Sequence, residues 1–321
     1  MKDRLLAVLS EDLDIDGNYA LFLDTSEAEN QQHTNEVFTE KWGKYAEAES
    51  SLEDFYAFQR DWYLKLYGFE TEAALAEHLG RCDIILDAGC GLGYKAAWFA
   101  DLAPNALVFG IDFSEAAKQA SEIFGDRPNL FFIRGDIAAT PFKDGAVSYV
   151  SCDQVIMHTE DPEAAFTELA RITDHENGQF ACYFYAKKAL PRELLDDYFR
   201  IHCKEIEREE LWQMSEQLTE LGKRLSELNV EIDAPDIPLL GIKGGKIDIQ
   251  RFIYWNFLKC FWNEELGRET SDVTNFDWYS PSNARRFHEE EVRKIVADNN
   301  MKPAFFHAEE AAYSGRFVHT A

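Results

Sequence analysis

Three glycines at alternate positions follow an acidic residue in the stretch Ile-Leu-Asp-Ala-Gly-Cys-Gly-Leu-Gly, residues 85–93. The apolar run predicts a buried strand that ends at Asp87. Gly89, Gly91 and Gly93 then predict a turn so tight that a ligand would contact the backbone there. A strand and turn of this kind suit a nucleotide-like cofactor.

Three further apolar runs close on acids, at Asp112, Asp136 and Asp153. The gap of roughly 20 residues from the glycines to Asp112 is that of a strand-helix-strand unit whose carboxylate binds ribose hydroxyls. Four successive strands that end in a glycine turn or an acid describe the ligand-bearing edge of an open parallel sheet. The spacing therefore predicts one site at the tips of these strands.

This pattern resembles the class I S-adenosylmethionine-dependent methyltransferases, in particular a methyltransferase type 11-like domain, over about residues 83–188. The segment from residue 288 onward fits the same fold more loosely. The resemblance implies an α/β fold: a Rossmann-like, doubly wound, mostly parallel seven-stranded sheet with an antiparallel last strand, an N-terminal helical lid and an inserted helical lobe. It also implies S-adenosyl-L-methionine as the cofactor and S-adenosyl-L-homocysteine as its product.

The resemblance further implies a role for each motif. Residues 87–93 would hold the methionine part of the cofactor, Asp112 would hold the ribose, and Phe113 would flank the adenine, whose edge Asp136 and Ile137 would read. The implied cofactor-binding set is Asp87, Gly89, Cys90, Gly91, Gly93, Asp112, Phe113, Asp136, Ile137, Asp153 and Gln154. A dinucleotide-dependent oxidoreductase is the competing reading, but its G-x-G-x-x-G fingerprint differs from glycines at every second position.

Catalysis follows from the cofactor, because a sulfonium methyl is already electrophilic and the protein need only align a nucleophile and exclude water. Where the acceptor must lose a proton, His158 is the candidate base, since residues 151–158 resemble the family's segment facing the methyl group. A histidine that caps a helix or binds backbone is the alternative. The candidate substrate-pocket residues are Trp42, Tyr45, Tyr63, His158, Tyr185, Tyr254, Trp278 and Tyr279.

Four segments are expected along the chain. Residues 1–80 form an N-terminal helical lid segment, 81–190 the Rossmann-like cofactor-binding core, 191–281 an inserted helical substrate lobe above the ligand edge, and 282–321 the completion of the core sheet. Aromatic residues are dense in the first and third segments. These rings either line the acceptor pocket or only pack the helices, and for most of them packing is the expectation.

A leucine-rich stripe occupies residues 211–228, where apolar residues follow a 3-4-3-4-3 spacing with Glu, Lys and Arg beside them. The stripe comprises Leu211, Met214, Leu218, Leu221, Leu225 and Leu228. Fewer than three heptads do not make an independent coiled coil. We expect the stripe to pack against the protein's own lid, with homodimerisation as the alternative.

Composition limits the classes of partner. The 321 residues carry a net charge of −27, which disfavours a nucleic-acid partner because such binding needs Lys and Arg to neutralise phosphates. This charge serves solubility or attracts a cationic substrate. No apolar stretch is long enough to span a membrane, and the six cysteines lack a C-x-x-C pair and read as reduced thiols of a cytoplasmic protein.

The sequence thus predicts a cytoplasmic methyltransferase that acts on a small-molecule acceptor. Two alternatives stay open. One is a methyltransferase acting on a protein or RNA, and the other is a cofactor-binding regulatory protein without transferase activity. The identity of the acceptor, and whether oxygen, nitrogen, sulfur or carbon is methylated, does not follow from the residues.

Overall fold

The computed structural model describes residues 2–9, 13–22, 29–47 and 52–320. They form two compact units, one made of Met1–Ala186 with Arg285–Ala321 and the other of Lys187–Ala284. None of the described helices has the length and apolar character that a membrane crossing requires.

The described residues form eleven strands. They are β1 (Ile15–Asp16), β2 (Tyr19–Leu21), β3 (Ile84–Ala88), β4 (Leu107–Asp112), β5 (Leu130–Arg134), β6 (Tyr149–Cys152), β7 (Gln179–Tyr185), β8 (Glu231–Ala234), β9 (Gly245–Asp248), β10 (Met301–Ala308) and β11 (Ala312–His319). Nine of them form one sheet in the order β1-β2-β5-β4-β3-β6-β7-β11-β10, and β8 and β9 form a separate antiparallel pair. The strands from β2 and β5 across to β7 are parallel, as predicted.

The expected count of seven strands was wrong for the described residues, because a short hairpin adds two. Strands β1 and β2 come from the acidic N-terminal segment, and β2 continues the sheet by pairing in parallel with β5. At the other end, β11 lies between β7 and β10 and is antiparallel to both. The antiparallel last strand was therefore predicted correctly.

The central strand β3 explains why the sequence pattern was readable. Its five residues are all buried, and Asp87 pairs with Gly110 of β4 on one side and Ser151 of β6 on the other. A parallel strand covered on both faces reads as a continuous apolar run, and β3 follows this rule up to its terminal acid.

The helices that flank the sheet begin at recognisable caps. The helices are α1 (Lys2–Val8), α2 (Glu29–Glu47), α3 (Leu52–Tyr67), α4 (Glu72–Leu79), α5 (Tyr94–Leu102), α6 (Ala116–Phe124), α7 (Pro162–Ile172), α8 (Leu190–His202), α9 (Arg208–Glu227), α10 (Ile249–Asn256), α11 (Gly267–Tyr279) and α12 (Glu289–Asp298). Asp161 caps α7 by accepting from the Ala164 N–H, and Pro162 takes the first-turn position that tolerates proline.

The second unit is helical, with α8 to α11 and the β8–β9 pair. Helix α10 ends at Asn256, and residues 275–279 form the last part of α11, which ends at Tyr279.

The leucine stripe of α9 is also not the buried face of that helix. Leu211 is buried, but Leu221 and Leu228 are 38% and 59% exposed. The buried face consists of Leu211, Ser215, Thr219 and Gly222. Small residues there allow close approach to the rest of the unit: the Thr219 hydroxyl accepts from the Asn275 amide of α11 at 2.9 Å.

Candidate functional site

The turn after β3 is shaped by glycines in the left-handed region. Gly89 has a φ of +80°, and a Cβ there would lie 2.3 Å from a methyl carbon of Val155. The Gly89 and Cys90 N–H groups donate to the Ile111 carbonyl at 2.7 and 3.0 Å, which fixes the turn to β4. Both the backbone conformation at Gly89 and its short distance to Val155 therefore favour glycine at this position.

Asp112, at the tip of β4, contacts this turn directly. Its Oδ2 accepts from the Gly91 N–H at 2.9 Å, and its Oδ1 accepts from the N–H and the hydroxyl of Ser114 at 2.9 and 2.6 Å. The two motifs that the sequence predicted to share one site are therefore in contact. The bonds also fix the orientation of the Asp112 carboxylate.

Asp87 is buried at the end of β3, with only 1% of its surface exposed. Within the described part of the chain, neither of its carboxylate oxygens has a hydrogen-bond partner. Burial raises the pKa of Asp87 to about 6; Lys95 and the nearby Ala96 N–H oppose the shift, although that N–H does not reach full hydrogen-bond geometry, and Asp153 and Asp112 add to it. A buried carboxylate of this kind is a strong candidate to receive a positively charged group of a ligand.

Asp153 lies at the end of the neighbouring strand and is already engaged. Its carboxylate accepts from the Lys95 ammonium at 2.7 Å and from the Tyr67 hydroxyl at 2.8 Å. Burial alone would lower the pKa of Lys95, but Asp153 and Asp87 raise it above its usual value. Lys95 therefore stays charged beside both carboxylates, and the role of Asp153 in cofactor binding remains a prediction.

The residues predicted to flank the adenine lie at the tips of β4 and β5. The Asp136 carboxylate accepts from the Ala138 N–H at 2.8 Å, and the Ile137 side chain is buried. The Phe113 carbonyl accepts from Arg134 at 3.2 Å. These bonds order the two loops, so a planar ligand group would meet a preformed backbone there.

The segment after β6 brings Gln154 and His158 to the same edge of the sheet. Gln154 has a φ of +64°, a strained value for a residue with a side chain, and its amide donates to Gln59 at 3.1 Å. The His158 ring is 8% exposed and makes edge contacts with Phe38 and Tyr185, at centroid distances of 4.8 and 5.6 Å. Two aromatic rings therefore border His158, the candidate base that the sequence predicts.

These features fit an adenosyl amino-acid cofactor. The glycine turn packs so closely that a Cβ at Gly89 would collide with Val155, Asp87 presents carboxylate oxygens without partners among the described residues, and Asp112 is fixed against the turn. A cationic amino group, a ribose and a purine differ in chemistry. The three strand tips offer a matching acid or backbone surface for each of them.

Comparison with known proteins agrees with this geometry. Residues 86–182 match the family model described as a methyltransferase domain. This match agrees with the resemblance to class I S-adenosylmethionine-dependent methyltransferases that the sequence shows over about residues 83–188. The cofactor of such a domain is S-adenosyl-L-methionine, and the fold is the mostly parallel, Rossmann-like α/β fold expected from the sequence.

Curated relatives match the methyltransferase domain and its surroundings. An uncharacterized methyltransferase of Schizosaccharomyces pombe is 32% identical over 117 residues, which is 34% of this chain and 41% of the relative. A demethylmenaquinone methyltransferase of Roseiflexus castenholzii is 30% identical over 126 residues, 39% of this chain and 52% of the relative. A malonyl-[acyl-carrier protein] O-methyltransferase of Legionella pneumophila is 36% identical over 89 residues, which is 27% of this chain and 31% of the relative. The chain thus spans about a third to a half of these relatives.

Two solved methyltransferase structures are similar to this chain at low sequence identity. The magnesium protoporphyrin IX methyltransferase of Synechocystis, solved with S-adenosylhomocysteine, is 16% identical, with 91% of this chain and 100% of that chain covered and a TM-score of 0.43. The 1,6-didemethyltoxoflavin-N1-methyltransferase of Burkholderia thailandensis is 11% identical, with 93% and 94% covered and a TM-score of 0.44. Neither likeness bears on the acceptor of this protein.

The predicted pocket residues near the methyltransferase domain differ in their surroundings. Tyr63 is buried, and its hydroxyl lies 2.7 Å from that of Tyr149 and donates to Ser151 at 3.1 Å. Tyr185 is half-buried beside His158. The side chains of the predicted pair Trp42 and Tyr45 lie outside the described residues. Their pocket roles remain predictions.

The other predicted pocket residues belong to the second unit. The Trp278 indole donates to Asp196 at 2.9 Å, and the Tyr279 hydroxyl accepts from the Lys259 N–H at 3.0 Å. The Tyr254 ring packs against Trp255, with 4.6 Å between centroids. These three aromatic residues are therefore parts of one unit, and their role in the pocket also remains a prediction.

Sequence reasoning missed Lys95 and Tyr67, which hold the Asp153 carboxylate. A signal for Lys95 was present, because it stands two residues after Gly93 in the first turn of a helix that leaves the ligand-bearing edge. Tyr67 gave no signal, since it was one ring among many in an aromatic-rich helix.

Proposed function

We propose that the protein is an S-adenosylmethionine-dependent methyltransferase that moves a methyl group to a small-molecule acceptor by in-line displacement. The observation that carries the proposal is the meeting of three groups at one sheet edge: the glycine turn, the buried Asp87 and the fixed Asp112. When bound, the cofactor supplies an electrophilic sulfonium methyl.

The residues of the chain then bind the cofactor and fix its orientation. We assign the cofactor's amino group to Asp87, because its carboxylate is buried and lacks a partner within the described residues. The backbone of residues 89–93 borders the methionine part. Asp112 binds the ribose hydroxyls. Because Gly91 and Ser114 already fix its position, binding costs little side-chain conformational entropy there.

Recognition of the adenine is assigned to the loops after β4 and β5. Phe113 offers a ring face, Asp136 an acceptor oxygen and Ile137 an apolar surface. Asp153 and Gln154 complete the cofactor side of the proposed site, with Lys95 keeping the Asp153 carboxylate in place. Lys95 is thus proposed as a positioning residue.

His158 is proposed as the base for an acceptor that must lose a proton. Support comes from its position after β6 and from the Phe38 and Tyr185 rings that hold the imidazole on two sides. Positioning of the two reactants can supply roughly 7–11 kcal/mol in the best intramolecular models. A proton acceptor adds a further factor only when the nucleophile is protonated.

The small size of the acceptor is supported by charge. A net charge of −27 repels the phosphates of a nucleic acid. Among the relatives, one is a demethylmenaquinone methyltransferase and another is a malonyl-[acyl-carrier protein] O-methyltransferase, so their acceptors differ.

The first test is calorimetric binding of S-adenosylhomocysteine to the whole chain. The substitution Asp112→Ala should weaken binding at least about tenfold, because ribose hydrogen bonds to a charged group are lost. Asp83→Ala is the matched control, since Asp83 is exposed at the opposite end of β3. Absence of binding to the wild type would refute the proposal, and unchanged affinity in Asp112→Ala would refute the ribose assignment.

The second test seeks the acceptor. The protein is incubated with methyl-labelled cofactor and fractionated metabolites of its source, and the labelled product is identified. With that acceptor, His158→Gln should abolish turnover while the affinity for S-adenosylhomocysteine stays unchanged. Full activity of His158→Gln would remove the base assignment without touching the cofactor site.

A further inference from the structure

The second unit, Lys187–Ala284, carries most of the exposed apolar side chains. Of the fourteen large ones that the described residues leave exposed, eleven belong to this unit, although it holds 98 of the 321 residues. Five of the eleven lie on helix α8: Leu190, Leu194, Leu195, Tyr198 and Ile201. Single apolar residues are normal on a protein surface, but a group on one element indicates an interaction site.

Helix α8 has its polar face inward. Its buried residues are Arg192, Asp196 and Arg200, which follow one another at intervals of four. The Arg192 guanidinium and the Trp278 indole both donate to the Asp196 carboxylate, and Arg200 donates to the Pro281 carbonyl at 2.7 Å. Turning the apolar face inward would break these buried contacts and strand charged groups, which is costly. The exposure of the apolar face is therefore built into the unit.

The exposed residues of α8 form a stripe along the helix, and a loop adjoins its first turn. A spacing of 4-4-3 places the members on one side of a helix, where they are between 45% and 71% exposed. A Cβ at Gly241 would lie 3.7 Å from the Cα of Ala189, and Leu239 of the same loop is 93% exposed. The stripe consists of Leu190, Leu194, Tyr198 and Ile201.

The size of this surface fits a symmetric pair of chains. The five exposed side chains of α8 present on the order of 500 Å² of surface. In a two-fold pair each chain contributes the same patch, so about 1,000 Å² is covered in total, which reaches the lower bound for a specific interface. A second copy is thus an occupant of matching size and chemistry.

Charge favours a second copy over a membrane as the occupant. The net charge of −27 repels an anionic lipid surface. The second unit itself carries 19 acidic and 13 basic residues, a net charge of −6, so most of the charge lies outside it. Two such units therefore repel each other far less than the charge of the whole chain implies.

The charges beside the stripe favour an antiparallel arrangement. Glu193 and Asp197, four residues apart, lie along one flank of the stripe, and Lys204 follows Asp197 after about two turns. When two copies of α8 run in opposite directions, these flanks face each other. The acidic residues of one copy then come beside Lys204 of the other copy, which complements their charge.

We infer that two copies of this chain associate through α8, packed antiparallel about a two-fold axis near Tyr198. In this arrangement Leu194 of one copy meets Ile201 of the other, and the apolar stripes cover each other. The interface belongs to residues 187–284 and does not depend on the proposed methyl transfer.

Sedimentation velocity of the whole chain, from about 1 to about 300 μM, tests the association. The mean mass should rise from the monomer value of 36.9 kDa towards twice that value. A small interface predicts a dissociation constant of about 1–100 μM. A monomer mass that stays constant over the whole range would overturn the inference.

Substitutions locate the interface. Leu194→Glu and Ile201→Glu should each weaken the dimer at least about tenfold, because each places a charge in an apolar contact. Both side chains are exposed, so the melting temperature should change by less than about 2 °C. Leu228→Glu on the leucine stripe of α9 is the matched control and should change the dissociation constant less than about twofold. Loss of the dimer in Leu228→Glu alone would place the interface on α9 and overturn the inference.

Cross-linking tests the direction of the two helices. The native cysteines are buried or half-buried, so an introduced exposed cysteine reacts in preference to them. A mixture of Leu194→Cys and Ile201→Cys should form a mixed disulfide dimer under mild oxidation, and neither variant alone should do so. Self-linking of each variant would indicate parallel helices, and no linking in the mixture would also contradict the antiparallel pair.

Vesicles test the competing occupant. With neutral phosphatidylcholine vesicles, the wild type at about 1 μM should stay in the supernatant after centrifugation. Saturable binding to the vesicles that Leu194→Glu abolishes would mean that lipid covers α8, and this would overturn the inference in favour of a membrane surface.

Discussion

The environment of Asp87 disfavours its charged form and so works against the stability of the folded protein. Asp87 is buried, its pKa is raised to about 6, and its carboxylate has no hydrogen-bond partner among the described residues. Above that pKa the folded protein holds a charge that water would stabilise better. Such costs are common at binding sites, where the ligand supplies the missing partner.

The pH dependence of stability should reveal this cost. Because the pKa of Asp87 is higher in the folded state, the folded protein binds more protons between about pH 4 and pH 6, and its contribution to the free energy of unfolding falls as the pH rises through that window. Asp87→Asn removes the ionisable group. At pH 7.5 the variant without ligand should be more stable than the wild type by about 1–3 kcal/mol, measured by urea denaturation.

The same substitution should weaken S-adenosylhomocysteine binding at least about tenfold, so stability and affinity move in opposite directions. Asp83→Asn serves as the control and should change neither quantity by more than about 0.5 kcal/mol. If the free energies of unfolding of the wild type and Asp87→Asn changed in parallel between about pH 4 and pH 6, Asp87 would not be the group that titrates.

At the scale of elements, the turn between β3 and α5 should tolerate no side chain at Gly89. Gly89→Ala adds a methyl group 2.3 Å from a stiff, β-branched Val155 in addition to the strain of a φ of +80°. Gly17 has a φ of +62° but open space around it, so Gly17→Ala measures the cost of the backbone strain without the steric contact. Gly17→Ala should lower the free energy of unfolding by about 1 kcal/mol and Gly89→Ala by about 2–4 kcal/mol in chemical denaturation. Equal losses would mean that Val155 moves aside freely.

Helix α9 permits a similar comparison between its buried face and its leucine stripe. Leu211→Ala should cost about 2–4 kcal/mol, because it leaves a cavity at a side chain that is 1% exposed. Leu228→Ala should cost less than about 0.5 kcal/mol, because that side chain is 59% exposed. Denaturation of the two variants checks this directly. Similar losses would restore the stripe as a packing face.

These elements also show which features a sequence can predict. The tips of β3, β4 and β5 were readable because parallel strands buried on both faces appear as uninterrupted apolar runs, each closed by an acid. The β1–β2 hairpin was not readable, since strands of two and three residues are too short to show an alternation.

Long-range partners were the other gap. Lys95 and the Asp153 carboxylate that holds it are 58 residues apart in sequence, so the spacing of neither motif indicates the ion pair. The packing face of α9 was predicted wrongly for a different reason. Its contacts run through Ser215, Thr219 and Gly222, and small residues of this kind carry little weight in an apolar pattern.

At the scale of the whole molecule, the dominant property is the net charge of −27. A field of this size acts on any charged ligand over about one Debye length, which grows from ~8 Å at 0.15 M salt to ~30 Å at 0.01 M. Substrate and product of the proposed reaction differ in charge, because the sulfonium of S-adenosylmethionine carries a positive charge that the thioether of S-adenosylhomocysteine lacks. The field therefore favours the reactive form of the cofactor over the spent one.

The ratio of the two affinities should consequently depend on ionic strength. Lowering the salt from about 0.15 M to about 0.01 M should raise the affinity for S-adenosylmethionine relative to S-adenosylhomocysteine by about two- to fivefold, because screening of the negative potential is relaxed. Calorimetric titrations of both ligands at several salt concentrations measure the ratio, and the shared adenosyl contacts cancel in it. Sinefungin, which replaces the sulfonium by a protonated amine, should follow S-adenosylmethionine. A ratio that stays constant with salt would mean that nearby groups such as Lys95 neutralise the field at the cofactor site.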